Sequence, residues 1–186
     1  TEEEAGRVVL SYSVLDGNGG IIDAANSIYF QSTPKAEFNP YAINRLYNAN
    51  QGKHLFSSNQ IEIDILSGTG WQNEGTVYCA PEAPTADVFR FYITSENRHF
   101  YTALELERDL IINNESLTDS GWQYEGKVFS AYSTSNFPIN AVAVVRYLNQ
   151  GTGSHLYSTS AYEQSLLDQD SNWLNEGIAW YGNPMT

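Results

Sequence analysis

The sequence predicts an α+β, strand-rich fold: three ββαβ-like repeats in one globular body with pseudo-threefold symmetry, preceded by an N-terminal β-hairpin-like segment. Self-similarity is the first ground for this. The pattern Arg45…His54…Trp71-Gln72-Asn73-Glu74-Gly75 recurs as Arg90…His99…Trp122-Gln123-Tyr124-Glu125-Gly126 and Arg146…His155…Trp173-Leu174-Asn175-Glu176-Gly177. In every copy Arg and His stand nine apart and an aromatic (Phe56, Tyr101, Tyr157) follows His by two. All three histidines and three of the four tryptophans obey the pattern, which chance does not arrange. Composition is the second ground, because 4 Trp, 13 Tyr and 8 Phe favour strands. Size is the third: units of about 40–50 residues cannot each bury a core and must pack on one another.

Each copy reads as strand, turn, strand, helix, strand. Val88–Tyr92 and His99–Thr102 have the composition of paired strands, and Gln150-Gly151-Thr152-Gly153 that of the turn between such strands. Helix starts are expected at Asn59…Glu62, Thr102…Glu105 and Ser160…Glu163, where a capping side chain precedes a Glu by three residues. Leu104, Leu106, Leu110 and Ile111 supply the apolar face expected of the second helix. Trp-x-x-Glu-Gly then opens the closing strand. His and Trp are 17, 23 and 18 residues apart in the three copies, so the second carries extra residues around Asn113–Asp119, read as a surface loop. The boundaries expected are an N-terminal strand segment over 1–41 and a three-repeat domain over 42–186, with repeats at about 42–80, 87–132 and 143–181. In the first segment Arg7–Val14 alternates as a strand and Asp16-Gly17-Asn18-Gly19-Gly20 marks a turn. The start at Thr1-Glu2-Glu3-Glu4, without Met, suggests a piece of a longer chain.

Charge restricts partners. With 22 acidic and 9 basic side chains the net charge is −13, which argues against phosphate backbones and anionic membrane surfaces. No apolar run reaches the ~18 residues of a membrane-spanning helix. Cys79 is the only cysteine, so no intrachain disulfide forms, and its apolar surroundings Val77-Tyr78-Cys79-Ala80 read as core. Signatures of nucleophilic, zinc-protease and phosphate-binding chemistry are absent, and nothing singles out a carboxylate pair for glycoside hydrolysis. The chain reads as a non-enzyme.

The repeated Arg, His, Trp and Glu read first as structural, Arg45, Arg90 and Arg146 pairing with Glu74, Glu125 and Glu176. A zinc site from the three histidines is the competing reading. Function is then sought where the copies differ. Arg98 and Lys127 are off-pattern cations suited to an anionic ligand group, and Tyr124 and Tyr132 are extra aromatics suited to recognition. Two acidic stretches suit Ca²⁺: Asp168-x-Asp170-x-Asn172, and Asp16-x-Asn18 with Asp23.

The threefold pattern resembles a short repeat of undetermined function found, usually in threes, in secreted bacterial proteins. Asp16–Gly20 and its flanking strands resemble the closing strands of extender repeats in giant bacterial adhesins, so segment 1–41 is either the end of such a repeat or integral to the domain. Together they are similar to the peptide-binding domain of repeats-in-toxin (RTX) adhesins. That resemblance implies a calcium-dependent, non-catalytic, monomeric module of a long surface fibre, extracellular on the bacterial cell surface. It would capture C-terminal peptides of host or neighbouring-cell surface proteins and promote adhesion and biofilm formation. The alternatives are a calcium-dependent lectin and an accessory module of a secreted hydrolase.

Overall fold

A computed structural model describes Asn39 and residues 41–185, together with the backbone of four short strands between Val9 and Tyr29. The chain divides into Thr1–Asn39 and Pro40–Thr186. In the first unit β1 (Val9–Leu10) pairs antiparallel with β4 (Ile28–Tyr29), and β2 (Val14–Leu15) with β3 (Ile21–Asp23). The expected turn at Asp16–Gly20 lies outside the described residues.

The second unit is built from three successive ββαβ segments. Segment one comprises β5 (Ala42–Asn48), β6 (Lys53–Ser57), α1 (Gln60–Ser67) and β7 (Gln72–Cys79). Segment two comprises β8 (Ala86–Ile93), β9 (Arg98–Thr102), α2 (Glu105–Ile112), α3 (Glu115–Asp119) and β10 (Trp122–Ala131). Segment three comprises β11 (Val142–Asn149), β12 (His155–Ser158), α4 (Ala161–Leu167) and β13 (Trp173–Gly182). Each forms its own three-stranded antiparallel sheet with its first strand in the middle, in the orders β6-β5-β7, β9-β8-β10 and β12-β11-β13. The fold is therefore α+β and strand-rich, as the sequence predicts.

Trp-x-x-Glu-Gly owes its form to a β-bulge. Arg45 faces Gly75 and Leu46 faces Asn73, which leaves Glu74 as the extra residue. Glu125 and Glu176 are displaced in the same way. The glycines that follow have φ of 92°, 92° and 89°, and a Cβ on any of them would meet no atom within 4 Å. Backbone conformation alone thus demands glycine there. The bulge re-aims each Glu toward the Arg on the middle strand.

The sheets meet around stacked aromatics. Phe56, Tyr101 and Tyr157 pack edge to face with centroids 5.6–5.9 Å apart. Against them lie Tyr78, Phe129 and Trp180, with Trp180 Nε1 donating to the Tyr78 hydroxyl at 2.9 Å. The shared core also takes Ile43, Val88 and Val144 from the three middle strands. Smaller clusters sit under the helices: Leu46, Leu55 and Ile63 with Trp71, and Phe91, Phe100 and Ile111 with Trp122. Cys79 is buried at the end of β7, as expected.

The helices depart from expectation in three respects. Asn59 and Ser160 do cap α1 and α4 through their side chains, but α2 starts from Leu104, which provides no side-chain cap. Thr102 is displaced by two residues and instead accepts from the Leu104 amide, as Ser57 and Ser158 do for Asn59 and Ser160. The expected apolar face of α2 is also corrected: Ile111 is buried, whereas Leu104, Leu106 and Leu110 are exposed. One buried residue suffices because the aromatic strands already fill the space beneath. Finally, the extra residues of segment two form α3 rather than a loop. Asn114 accepts from Leu117 N, and Leu117 packs on the Phe91 cluster.

Candidate functional site

Each repeated Arg holds two carboxylates. Nε of Arg45, Arg90 and Arg146 donates to Glu74, Glu125 and Glu176 of the same segment at 2.6, 2.6 and 2.9 Å, as the sequence predicts. The terminal nitrogens reach a helix of another segment: Arg45 meets Glu163 of α4, Arg90 meets Glu62 of α1, and Arg146 meets Glu107 of α2, at 2.8–2.9 Å. These second partners are what the sequence reading missed. The sequence pattern assigns Glu62 and Glu163 to capping boxes and offers Glu105 where Glu107 acts. Burial raises the carboxyls of Glu62 and Glu163, but the Arg hydrogen bonds and charge outweigh it and leave both below the usual range.

The histidines line up beside these clusters. Nε2 of His54, His99 and His155 stands 3.7, 3.5 and 3.3 Å from Oε2 of Glu74, Glu125 and Glu176. His54 stacks on Tyr47 with centroids 4.8 Å apart, and His99 lies tilted against Tyr92 at 5.1 Å. Burial, and next the adjacent Arg, lowers all three imidazoles, His99 and His155 to about 4. They are neutral at pH 7.

All three histidines border one cavity of about 180 Å³, where the β5–β6, β8–β9 and β11–β12 hairpins converge. The residue before each His also lines it: Lys53, Arg98 and Ser154. Lys53 Nζ donates to the carbonyls of Glu96 and Asn97 in the second hairpin, the latter at 2.9 Å. Arg98 Nη1 donates to the Thr152 carbonyl and Ser154 Oγ in the third hairpin, at 3.1 and 3.2 Å, and Nη2 pairs with Glu96. Arg98 Nε is buried and has no hydrogen-bond partner among the described residues. Tyr47, Leu156 and Trp173 give the cavity apolar and aromatic wall.

Of the four residues expected to bind ligand, Arg98 lines this cavity and the others do not. Lys127 pairs with Asp87 at 2.6 Å on the surface. Tyr124, half-exposed, leans on Phe89 and Phe91. Tyr132 bridges to Tyr181 and donates to Asn183 Oδ1 at 3.2 Å. Among the expected calcium ligands, Asp168 Oδ1 accepts from the Tyr147 hydroxyl and Asn175 Nδ2, both at 3.0 Å. Asp170 Oδ1 accepts from the amide and side chain of Asn172 at 2.9 and 2.8 Å. Asp16, Asn18 and the side chain of Asp23 lie outside the described residues. Among the described residues no group of three or more His, Cys, Asp or Glu is placed to hold a metal ion, the three histidines included. No helix there is long and apolar enough to cross a membrane.

No curated protein and no solved structure matches the chain. Residues 42–183, which span all three ββαβ segments, match the family described as a domain of unknown function (DUF5648), and the chain belongs to that family.

Proposed function

We propose that the domain is a non-catalytic ligand-capture module of a bacterial surface adhesin, its three segments related by pseudo-threefold symmetry. It takes C-terminal peptides of host or neighbouring-cell surface proteins, outside the cell, as one monomeric part of a longer chain. The observation that carries this reading is Arg98. It is one of nine cations in a chain of charge −13, it borders a cavity wide enough for a small group, and its Nε lacks an acceptor among the described residues. A terminal carboxylate supplies one, in a setting where a charged hydrogen bond is strong. The repeated Arg and Glu support a non-catalytic role, because each Arg ties the Glu of its own segment to a helical Glu of another, and each His stands beside that same-segment Glu. Calcium belongs to the proposal through the resemblance and the acidic charge, which a bound divalent cation would relieve.

Calorimetry with a free-carboxylate peptide and its C-terminal amide, each with and without EDTA, tests it. The free acid is expected to bind, the amide to fail, Arg98→Gln to weaken the acid, and EDTA to reduce binding. Equal binding by the amide overturns the carboxylate reading, and indifference to EDTA overturns the calcium part.

A further inference from the structure

The three hairpins at the cavity are fastened unequally. Lys53 spans from the first hairpin to the carbonyls of Glu96 and Asn97, and Arg98 spans from the second to the carbonyl of Thr152. Ser154, the counterpart in the third hairpin, has no long cationic side chain to reach the first. The oxygens it would have met are the carbonyls of Gln51 and Gly52, which hold the places of Glu96 and Asn97. Both residues are exposed, and no donor to either carbonyl occurs among the hydrogen bonds of the described residues.

We infer that this third junction is a binding site for a primary ammonium on an unbranched aliphatic stem, that is, a lysine-type side chain of a partner. The ammonium takes the place that Lys53 occupies at the first junction, donating to the Gln51 and Gly52 carbonyls. Its stem lies along Leu156, with the aromatic side chains of Trp173 and Tyr47 lining the same cavity. Lys53 and Arg98 border the same cavity but do not oppose entry strongly. Arg98 turns Nη2 to Glu96 and Nη1 to the third hairpin, Lys53 donates to carbonyl oxygens, and the chain as a whole attracts cations. The protein makes this ammonium contact once with its own Lys53, and spans the second junction with the guanidinium of Arg98.

The test is an NMR titration of the full 186-residue chain with Nα-acetyl-lysine N-methylamide, against the norleucine analogue. Neither probe has a free carboxylate, so the result is independent of the peptide C-terminus reading above. The lysine probe is expected to shift the amides of Gln51 and Gly52 and the indole of Trp173, and the norleucine probe to bind at least about tenfold more weakly. Ser154→Lys is expected to fill the site internally, weakening the lysine probe about tenfold or more and raising Tm. Equal binding of the two probes overturns the inference without any variant, and so does undiminished lysine binding to a folded Ser154→Lys protein.

Discussion

The Tyr101 hydroxyl sits between the amide and the carbonyl of Phe56, accepting from N at 3.0 Å and donating to O at 3.2 Å. Tyr157 does the same to Tyr101, at 2.8 and 2.6 Å. Neighbouring edge strands are thus joined through a side-chain hydroxyl rather than through a continuous sheet. Phe56, the third member of this aromatic trio, has no hydroxyl to offer Tyr157. Tyr101→Phe and Tyr157→Phe each leave a buried amide and carbonyl without their partner, and are expected to cost about 1–3 kcal/mol. Phe56→Tyr is expected to raise stability by about 1 kcal/mol. Urea unfolding of the three variants measures this, and destabilisation by Phe56→Tyr would contradict it.

The two-carboxylate grip of each Arg makes a second measurement decisive. Arg146→Lys keeps the charge but cannot hold Glu107 and Glu176 together, because an ammonium lacks the planar fork. A loss of about 1–3 kcal/mol is expected. Arg108→Lys serves as the control, since its Asp109 partner is an exposed neighbour in sequence and Tm should stay where it was.

Leu104 occupies a position where Asn59 and Ser160 cap the other helices. Leu104→Asn restores an acceptor for the first turn of α2 and is expected to add about 1 kcal/mol. Chemical denaturation measures the change, and amide exchange in residues 105–108 should slow with it.

Acid should act on the histidines before the carboxylates. His99 and His155 fall to about 4 in the folded chain against about 6.5 when unfolded, so the unfolded state takes up protons first as pH drops. Stability is therefore full above about pH 6.5 and declines toward pH 4, by on the order of 3 kcal/mol for each of the two. Glu62 and Glu163, whose pKa values are lowered, add their loss only below the ordinary Glu value of 4.5. Tm between pH 7 and 5 should fall for the natural chain and fall less for the His99→Gln, His155→Gln pair.

Strand pairing and the same-segment Arg–Glu pairs were legible because aligned copies expose which residue types recur together. The second carboxylates were not, because an alignment of copies says nothing about which copy a helix faces. Helix composition misled for a related reason. Leu106 and Leu110 look like a buried face, but sheets filled by Phe91, Phe100 and Trp122 need only Ile111 from α2. Arg98 and Lys127 look alike as off-pattern cations. One opens β9 at the convergence of three hairpins and the other, within β10, pairs with Asp87, a difference set by strand register.

The helix reached by each Arg has a consequence for the number of segments. Arg90 and Arg146 take a Glu from the segment before them, whereas Arg45 takes Glu163, 118 residues later. Among the repeated residues the three segments match each Arg with one helical Glu: Arg45 with Glu163, Arg90 with Glu62 and Arg146 with Glu107. A chain stopped after two copies would leave Arg45 without its helical carboxylate. Arg45 gains its second carboxylate only once α4 has been made, so the grip of the first segment is completed last.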